Sequence, residues 1–119
     1  AETAAFQDSA HFMSNLVPGD GIFIVYSALL GINRARYFLL TGQIIDAARA
    51  LELGLVSEVM PADRLMVRAR ELAADMVGKP PLLLRYTRQL FTAPLRRRMH
   101  DLLPYGLAME SLALMERPL

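Results

Sequence analysis

Apolar residues recur at three- and four-residue intervals over most of the chain, the spacing of helices that bury one face. The clearest run is Leu65, Met66, Ala69, Leu72, Ala73, Met76 and Val77, which predicts a helix begun by Asp63 and ended by Gly78 and Lys79-Pro80. Residues 21–30 read as another helix closed by Gly31, although the run Ile22-Phe23-Ile24-Val25-Tyr26 would also suit a strand. Asn33 is placed to cap a further helix that runs to residue 40 and ends at Thr41-Gly42. Asp46 caps a short helix over 47–53, with Gly54 where a left-handed residue belongs.

Strand-like segments are rarer. Residues 3–7 and 55–60 predict two short strands, the second stopped by Pro61 and the first too short to make a sheet without partners. Pro81 opens a helix to Phe91, and Thr92 with Pro94 begins the last one. In that terminal segment Leu95, Met99, Leu103, Leu107, Leu112 and their apolar neighbours cover a wide arc. One face is expected to pack on the domain and another on a neighbouring subunit, with Pro104 and Gly106 kinking or interrupting the helix.

Composition narrows the classes. A chain of 119 residues fits one domain, and its 54% hydrophobic content, rich in Leu, Ala and Met, predicts a mainly helical protein with apolar surface left for a partner. A net charge of +1 argues against a general polyanion binder, despite the cluster Arg96-Arg97-Arg98, which reads first as a solvated face. With no cysteine, disulfides and thiolate chemistry are excluded. His11 and His100 stand far apart without ligand spacing, so no metal is expected. No apolar run reaches the roughly 18 residues of a membrane span and no signal peptide opens the chain, so a soluble cytoplasmic protein is the expectation. Opening on Ala1-Glu2-Thr3 without an initiating methionine, the chain reads as a C-terminal piece of something longer.

The segment with most chemical content runs from Phe6 to Gly21. His11 and Asp20 would lie on opposite faces of a continuous helix, and they meet only if the chain folds back. Pro18-Gly19 supplies the turn for that return. Asp20 would then orient and charge the His11 imidazole, which takes a proton from water. Asp20 is equally well placed to cap the helix that follows, and one residue can do both. Phe23 and Tyr26 either line an apolar substrate pocket or belong to the plain core. Asp8 reads as a solvated turn residue before it reads as a site residue. Asn33, Arg34 and Arg36 read as capping and solvating a helix. His100 reads as structural.

The succession Val17-Pro18-Gly19-Asp20-Gly21, Leu39-Leu40-Thr41-Gly42-Gln43, Asp46-Ala47 and Gly54-Leu55-Val56 resembles the C-terminal half of the crotonase (enoyl-CoA hydratase/isomerase) superfamily, over nearly the whole chain. The resemblance implies an α/β, ClpP/crotonase-like fold, here mostly helical with one or two short strands. Residues 1–92 would be the C-terminal part of the core and 93–119 a trimerisation helix region. Phe6-Gln7-Asp8, His11-Phe12, Asn33-Arg34 and Arg36-Tyr37-Phe38 look more specifically like the β-diketone hydrolases of the superfamily, the 6-oxocamphor hydrolase kind. Hydratases of the superfamily usually carry glutamate seven residues before the proline of the Pro-Gly turn; His11 stands there.

That likeness implies a cofactor-free hydrolase that cleaves a carbon-carbon bond of a cyclic β-diketone by a retro-Claisen reaction. His11 and Asp20 would be catalytic, and the oxyanion-hole N–H groups would come from the upstream half. A small-molecule diketone and a homotrimer or dimer of trimers are the implied partners, with neither nucleic acid nor membrane. Two rivals stand beside it: a CoA-thioester hydratase or isomerase with an altered site, and a structural piece that contributes helices to assembly.

Overall fold

The computed structural model describes residues 1–116. Its elements in chain order are β1 (Ala5–Phe6), a 3₁₀ turn (Phe12–Ser14), α1 (Ile22–Leu30), α2 (Ile32–Thr41), β2 (Ile45–Asp46), α3 (Ala47–Glu52), α4 (Ala62–Val77) and α5 (Pro81–Met115). The core lies where α1, α2, β2 and α3 meet. Leu30, Phe38, Leu39, Ile45 and Ala50 are buried there, and Phe6, Tyr26 and Leu55 close over them. Gly31, at φ 75°, both ends α1 and begins α2, so the two helices pack as a hairpin with no intervening loop. An L-residue adopts that φ only with strain. Ala47 and Ala50 are buried at the foot of α3, where their small side chains let its backbone approach the core.

β1 finds its partner within the chain. It pairs antiparallel with β2, Ala5 opposite Asp46 and Phe6 opposite Ile45, and the Gln7 side-chain amide donates to the Gly42 carbonyl at 2.9 Å. This bridge anchors the chain just before the Asp8–Gly21 segment. Asp46 caps α3 as its position predicts, accepting from the Arg49 N–H at 2.8 Å, and Gly54 is left-handed at φ 73°.

Three local expectations are corrected. Residues 55–60 form no strand, because the Leu55 and Val56 N–H groups both go to the Ala50 carbonyl and complete the end of α3. Asn33 lies inside α2 rather than at its cap and accepts from Arg36 across one turn. The helix expected to end at Phe91 and restart at Thr92 is one helix, α5, continuous through Pro94 and Pro104. Each proline removes one i to i−4 hydrogen bond, leaving the Leu90 and His100 carbonyls without that donor. Near the first gap Thr92 donates its hydroxyl to the Arg88 carbonyl at 2.9 Å, a bond available within a helix. Both prolines, and Leu90 and His100 themselves, are exposed.

At 1.5 Å per residue, a helix of 35 residues is about 52 Å long, and α5 accounts for the 56 Å long axis of the molecule. The radius of gyration is 17.7 Å, against about 13.5 Å for a compact domain of this length. The accessible surface of 8904 Å² likewise exceeds the roughly 6,500 Å² of a folded monomer of this mass. Much of the excess lies on α4 and the first half of α5, where Met76, Val77, Leu90 and Phe91 are exposed. No described helix is long and apolar enough to cross a membrane. Residues 117–119 of the expected terminal region lie outside the described residues.

Candidate active site

Beyond the β1–β2 bridge the chain curls on itself. The His11 carbonyl accepts from Ser14 and Leu16, at 2.7 and 3.0 Å, Asn15 adopts a left-handed conformation at φ 56°, and the Ser14 hydroxyl donates to the Ser9 carbonyl. These bonds hold residues 9–16 as a compact loop with His11 facing inward. The Gly19 N–H then reaches back to the Val17 carbonyl at 2.8 Å across Pro18, a three-residue turn that suits the fixed φ of proline. The return required for His11 and Asp20 to meet is present: Nε2 of His11 lies 3.4 Å from Oδ2 of Asp20.

Asp20 also serves the helix. Its Oδ1 accepts from the Ile22 N–H at 3.2 Å, satisfying a free donor at the start of α1, while Oδ2 faces the imidazole. Gly21 rather than Asp20 is the N-cap residue of α1, so Asp20 supports the helix from one position earlier while its other oxygen stands beside the imidazole. Its side chain is 53% exposed.

The imidazole is held from its other side. Nδ1 of His11 pairs with Oδ1 of Asp8 at 2.8 Å, and both residues are buried, 7% and 3% exposed. This corrects two expectations: Asp8 is no solvated turn residue, and Asp8 rather than Asp20 fixes the ring. The signal was the three-residue spacing of Asp8 and His11, which in a tight turn puts both side chains on one side. A third carboxylate comes from α5. Glu110 lies near enough for its charge to act on His11, and its Oε2 is buried without a hydrogen-bond partner among the described residues.

Burial pulls the His11 pKa down, but the hydrogen bond and charge of Asp8, with the charges of Asp20 and Glu110, outweigh it. The net result is a pKa above the ordinary 6.5. An acceptor-only carboxylate on Nδ1 keeps the neutral ring's proton there and leaves the Nε2 lone pair available toward Asp20. The arrangement is that of an oriented general base with further negative charge around the imidazolium it forms.

Phe23 and Tyr26 follow on α1. The Tyr26 ring stacks on fully buried Phe38, with centroids 4.5 Å apart, as part of the core. Burial and the Asp8 charge raise its phenol pKa. Phe23 packs toward Gly106 of α5 and lines a nearly apolar cavity of about 190 Å³ with Val17, Pro18, Tyr105 and Met109. His100 is exposed on α5. No cluster of three or more His, Asp or Glu residues suited to a metal occurs among the described residues.

Comparison with known proteins bears on this arrangement. The family description enoyl-CoA hydratase/isomerase matches residues 1–111. A β-diketone hydrolase from the cyanobacterium Anabaena sp., solved bound to (S)-3-oxocyclohexyl acetic acid, superposes with a TM-score of 0.90 at 43% identity, over 94% of this chain and 45% of that one. An enoyl-CoA hydratase from Mycobacterium paratuberculosis gives 0.85 at 30% identity, over 96% of this chain and 51% of that one. The short-chain-enoyl-CoA hydratase of Clostridium acetobutylicum is 34% identical over 74 residues, 62% of this chain. The chain thus spans about half the length of these solved structures, and its matched part 28% of the Clostridium enzyme.

Proposed function

The chain belongs to the enoyl-CoA hydratase/isomerase family, the crotonase superfamily, and from that premise we propose that the intact protein is a hydrolase that opens a cyclic β-diketone by retro-Claisen cleavage. One observation carries the reading. A buried imidazole, locked at Nδ1 by Asp8 and free at Nε2 beside Asp20, stands where the superfamily's hydratases usually carry glutamate. The 43% identity to a β-diketone hydrolase supports the same choice. The keto acid bound to that relative is the kind of product left when water adds across one carbon-carbon bond of a bicyclic 1,3-diketone.

In the proposed reaction, His11 Nε2 takes a proton from water as the oxygen attacks one ketone carbonyl, while Asp20 orients the water. The tetrahedral adduct collapses to a carboxylic acid, and the breaking bond leaves its electron pair on the neighbouring carbon as an enolate. The His11 imidazolium returns its proton to that carbon, and the acid then ionises to solvent. A raised pKa suits a group that must act first as base and then as acid near neutrality. The enolate needs oriented donors of its own, which the resemblance places in a segment preceding the matched half. A homotrimer, alone or paired, is the assembly we propose.

Family membership and the named hydratase relatives favour one second reading, turnover of an enoyl-CoA thioester. The intact protein should consume a bicyclic 1,3-diketone and release a keto acid, and leave crotonyl-CoA unchanged. Turnover of the thioester alone would reject the diketone reading in favour of the second.

A further inference from the structure

Proline and glycine at 104 and 106 are an odd pair in mid-helix, and the helix runs through both. Gly106 is the one buried residue of α5 among the described residues. It belongs to a stripe. Met99, Leu103, Gly106 and Glu110 recur at intervals of four, three and four, one face of a helix. Met99 and Leu103 reach toward Gly21, and Gly106 meets Gly19 backbone to backbone. Glu110 follows one turn later.

We infer that Gly106 and Gly19 are positioning residues for His11, because their contact seats α5 on the Pro18–Gly19 turn, beside which Glu110 begins, and so sets how far the Glu110 carboxylate stands from the imidazole. A Cβ at 106 would stand 2.5 Å from the Gly19 carbonyl oxygen and 2.7 Å from Cε1 of Phe23, where ordinary contact begins near 3.4 Å. A Cβ at 19 would overlap the Gly106 carbonyl and lie 2.8 Å from Cβ of Glu110. The Gly19 N–H is tied to the Val17 carbonyl next to the fixed Pro18 ring, so we take the helix rather than the turn to retreat, by roughly 1 Å. A helix is stiff over one turn, and Glu110 retreats with it.

The charged groups that act on His11 are Asp8 on its own loop, Asp20 beyond the turn and Glu110 on α5, and the Tyr26 phenol feels the charge of Asp8. Only Glu110 arrives through the glycine contact. Its influence on His11 should therefore depend on Gly106, and that of Asp8 should not.

The test is an NMR titration of the His11 ring in the intact protein, assigned by loss of its signal in His11→Gln. The wild-type midpoint should lie above the ordinary histidine value. Gly106→Ala and Glu110→Gln should each lower it, and the double variant should go no lower than Glu110→Gln alone. Leu103→Ala loosens the same seat without overlap and serves if Gly106→Ala does not fold: it should lower the midpoint in the wild-type background and leave it unchanged with Glu110→Gln. Gly78→Ala is the control, since its Cβ would meet nothing closer than 3.9 Å. A wild-type midpoint in the seat variants, or shifts that add to that of Glu110→Gln, overturns the inference. The kinetic arm rests on the proposed diketone reaction, where the rise of kcat/KM with pH should move to lower pH in Gly106→Ala and Glu110→Gln alike, by the shift that the titration reads. Because the titration uses no substrate, absent diketone turnover would reject the reaction and leave the seating inference measurable.

Discussion

Replacing Asp8 by asparagine tests the site at its least ambiguous contact. The carboxylate only accepts, so it holds the single proton of a neutral imidazole on Nδ1, 2.8 Å away, and leaves Nε2 able to take a proton from water. Asparagine is nearly isosteric, but its amide also donates. A donor facing Nδ1 stabilises the other tautomer, in which Nε2 carries the hydrogen and cannot act as a base. The loss should approach the whole value of a positioned general base, about 10² to 10⁴ in rate, or about 2.7 to 5.4 kcal/mol of barrier. Substrate binding does not use this bond, so kcat and kcat/KM should fall together.

The assay is release of keto acid from a bicyclic 1,3-diketone by the intact protein, at a pH where wild-type His11 is neutral. Circular dichroism well below the unfolding transition separates lost chemistry from lost structure, which matters because Asp8 is buried. Retention of kcat within about threefold of wild type, with the fold intact, would refute the assignment of Asp8 as the group that fixes the base.

Asp20→Asn keeps an acceptor for the Ile22 N–H, so it should lower turnover while urea stability stays within about 0.5 kcal/mol; Asp20→Ala should in addition lose about 1 kcal/mol with that hydrogen bond. Since His11 must be neutral to accept a proton, kcat/KM should rise with pH through a midpoint above 6.5, and this limb should move to lower pH in Asp8→Asn. The same raised pKa stabilises the fold fully below the unfolded value of about 6.5 and is lost as pH rises through the folded value, so wild type and His11→Gln should converge in urea midpoint toward alkaline pH. Phe38→Ala removes a fully buried ring that also stacks on Tyr26 and should cost about 3 to 5 kcal/mol by urea unfolding. The 119-residue chain alone, with its excess apolar surface, should scatter light as an oligomer; a monodisperse monomer would show that this surface needs no cover.

Local rules made much of the fold readable. Gly31, Asp46 and Gly54 end or begin helices through their own backbone or side-chain chemistry, and each stands in the structure where that chemistry puts it. The failures were also local choices, decided elsewhere. Leu55 and Val56 look like strand residues until the end of α3 claims their N–H groups. Thr92 and Pro94 look like a helix start, yet α5 continues through both prolines, and the residues whose carbonyls lose a donor, Leu90 and His100, are exposed. Propensity prices a proline break but does not say what is gained on its far side. Here continuation carries the Met99–Glu110 stripe onto α1 and the turn.

The candidate site divides along the same line. The His11–Asp20 contact was legible because a Pro-Gly turn is a short-range instruction, and nine residues leave the chain little freedom once that turn forms. Asp8 was misread although it is nearer in sequence, because surface frequencies describe aspartates in general and not one whose chain has been curled under by a 3₁₀ turn. Glu110, about a hundred residues further on, carries no local mark as a site residue. What marks its place is the glycine one turn earlier, since an apolar helical stripe has no use for a missing side chain unless another backbone must come close. A small residue breaking such a stripe therefore predicts a contact, and the polar residue one turn beyond it becomes a candidate for whatever lies on the other side.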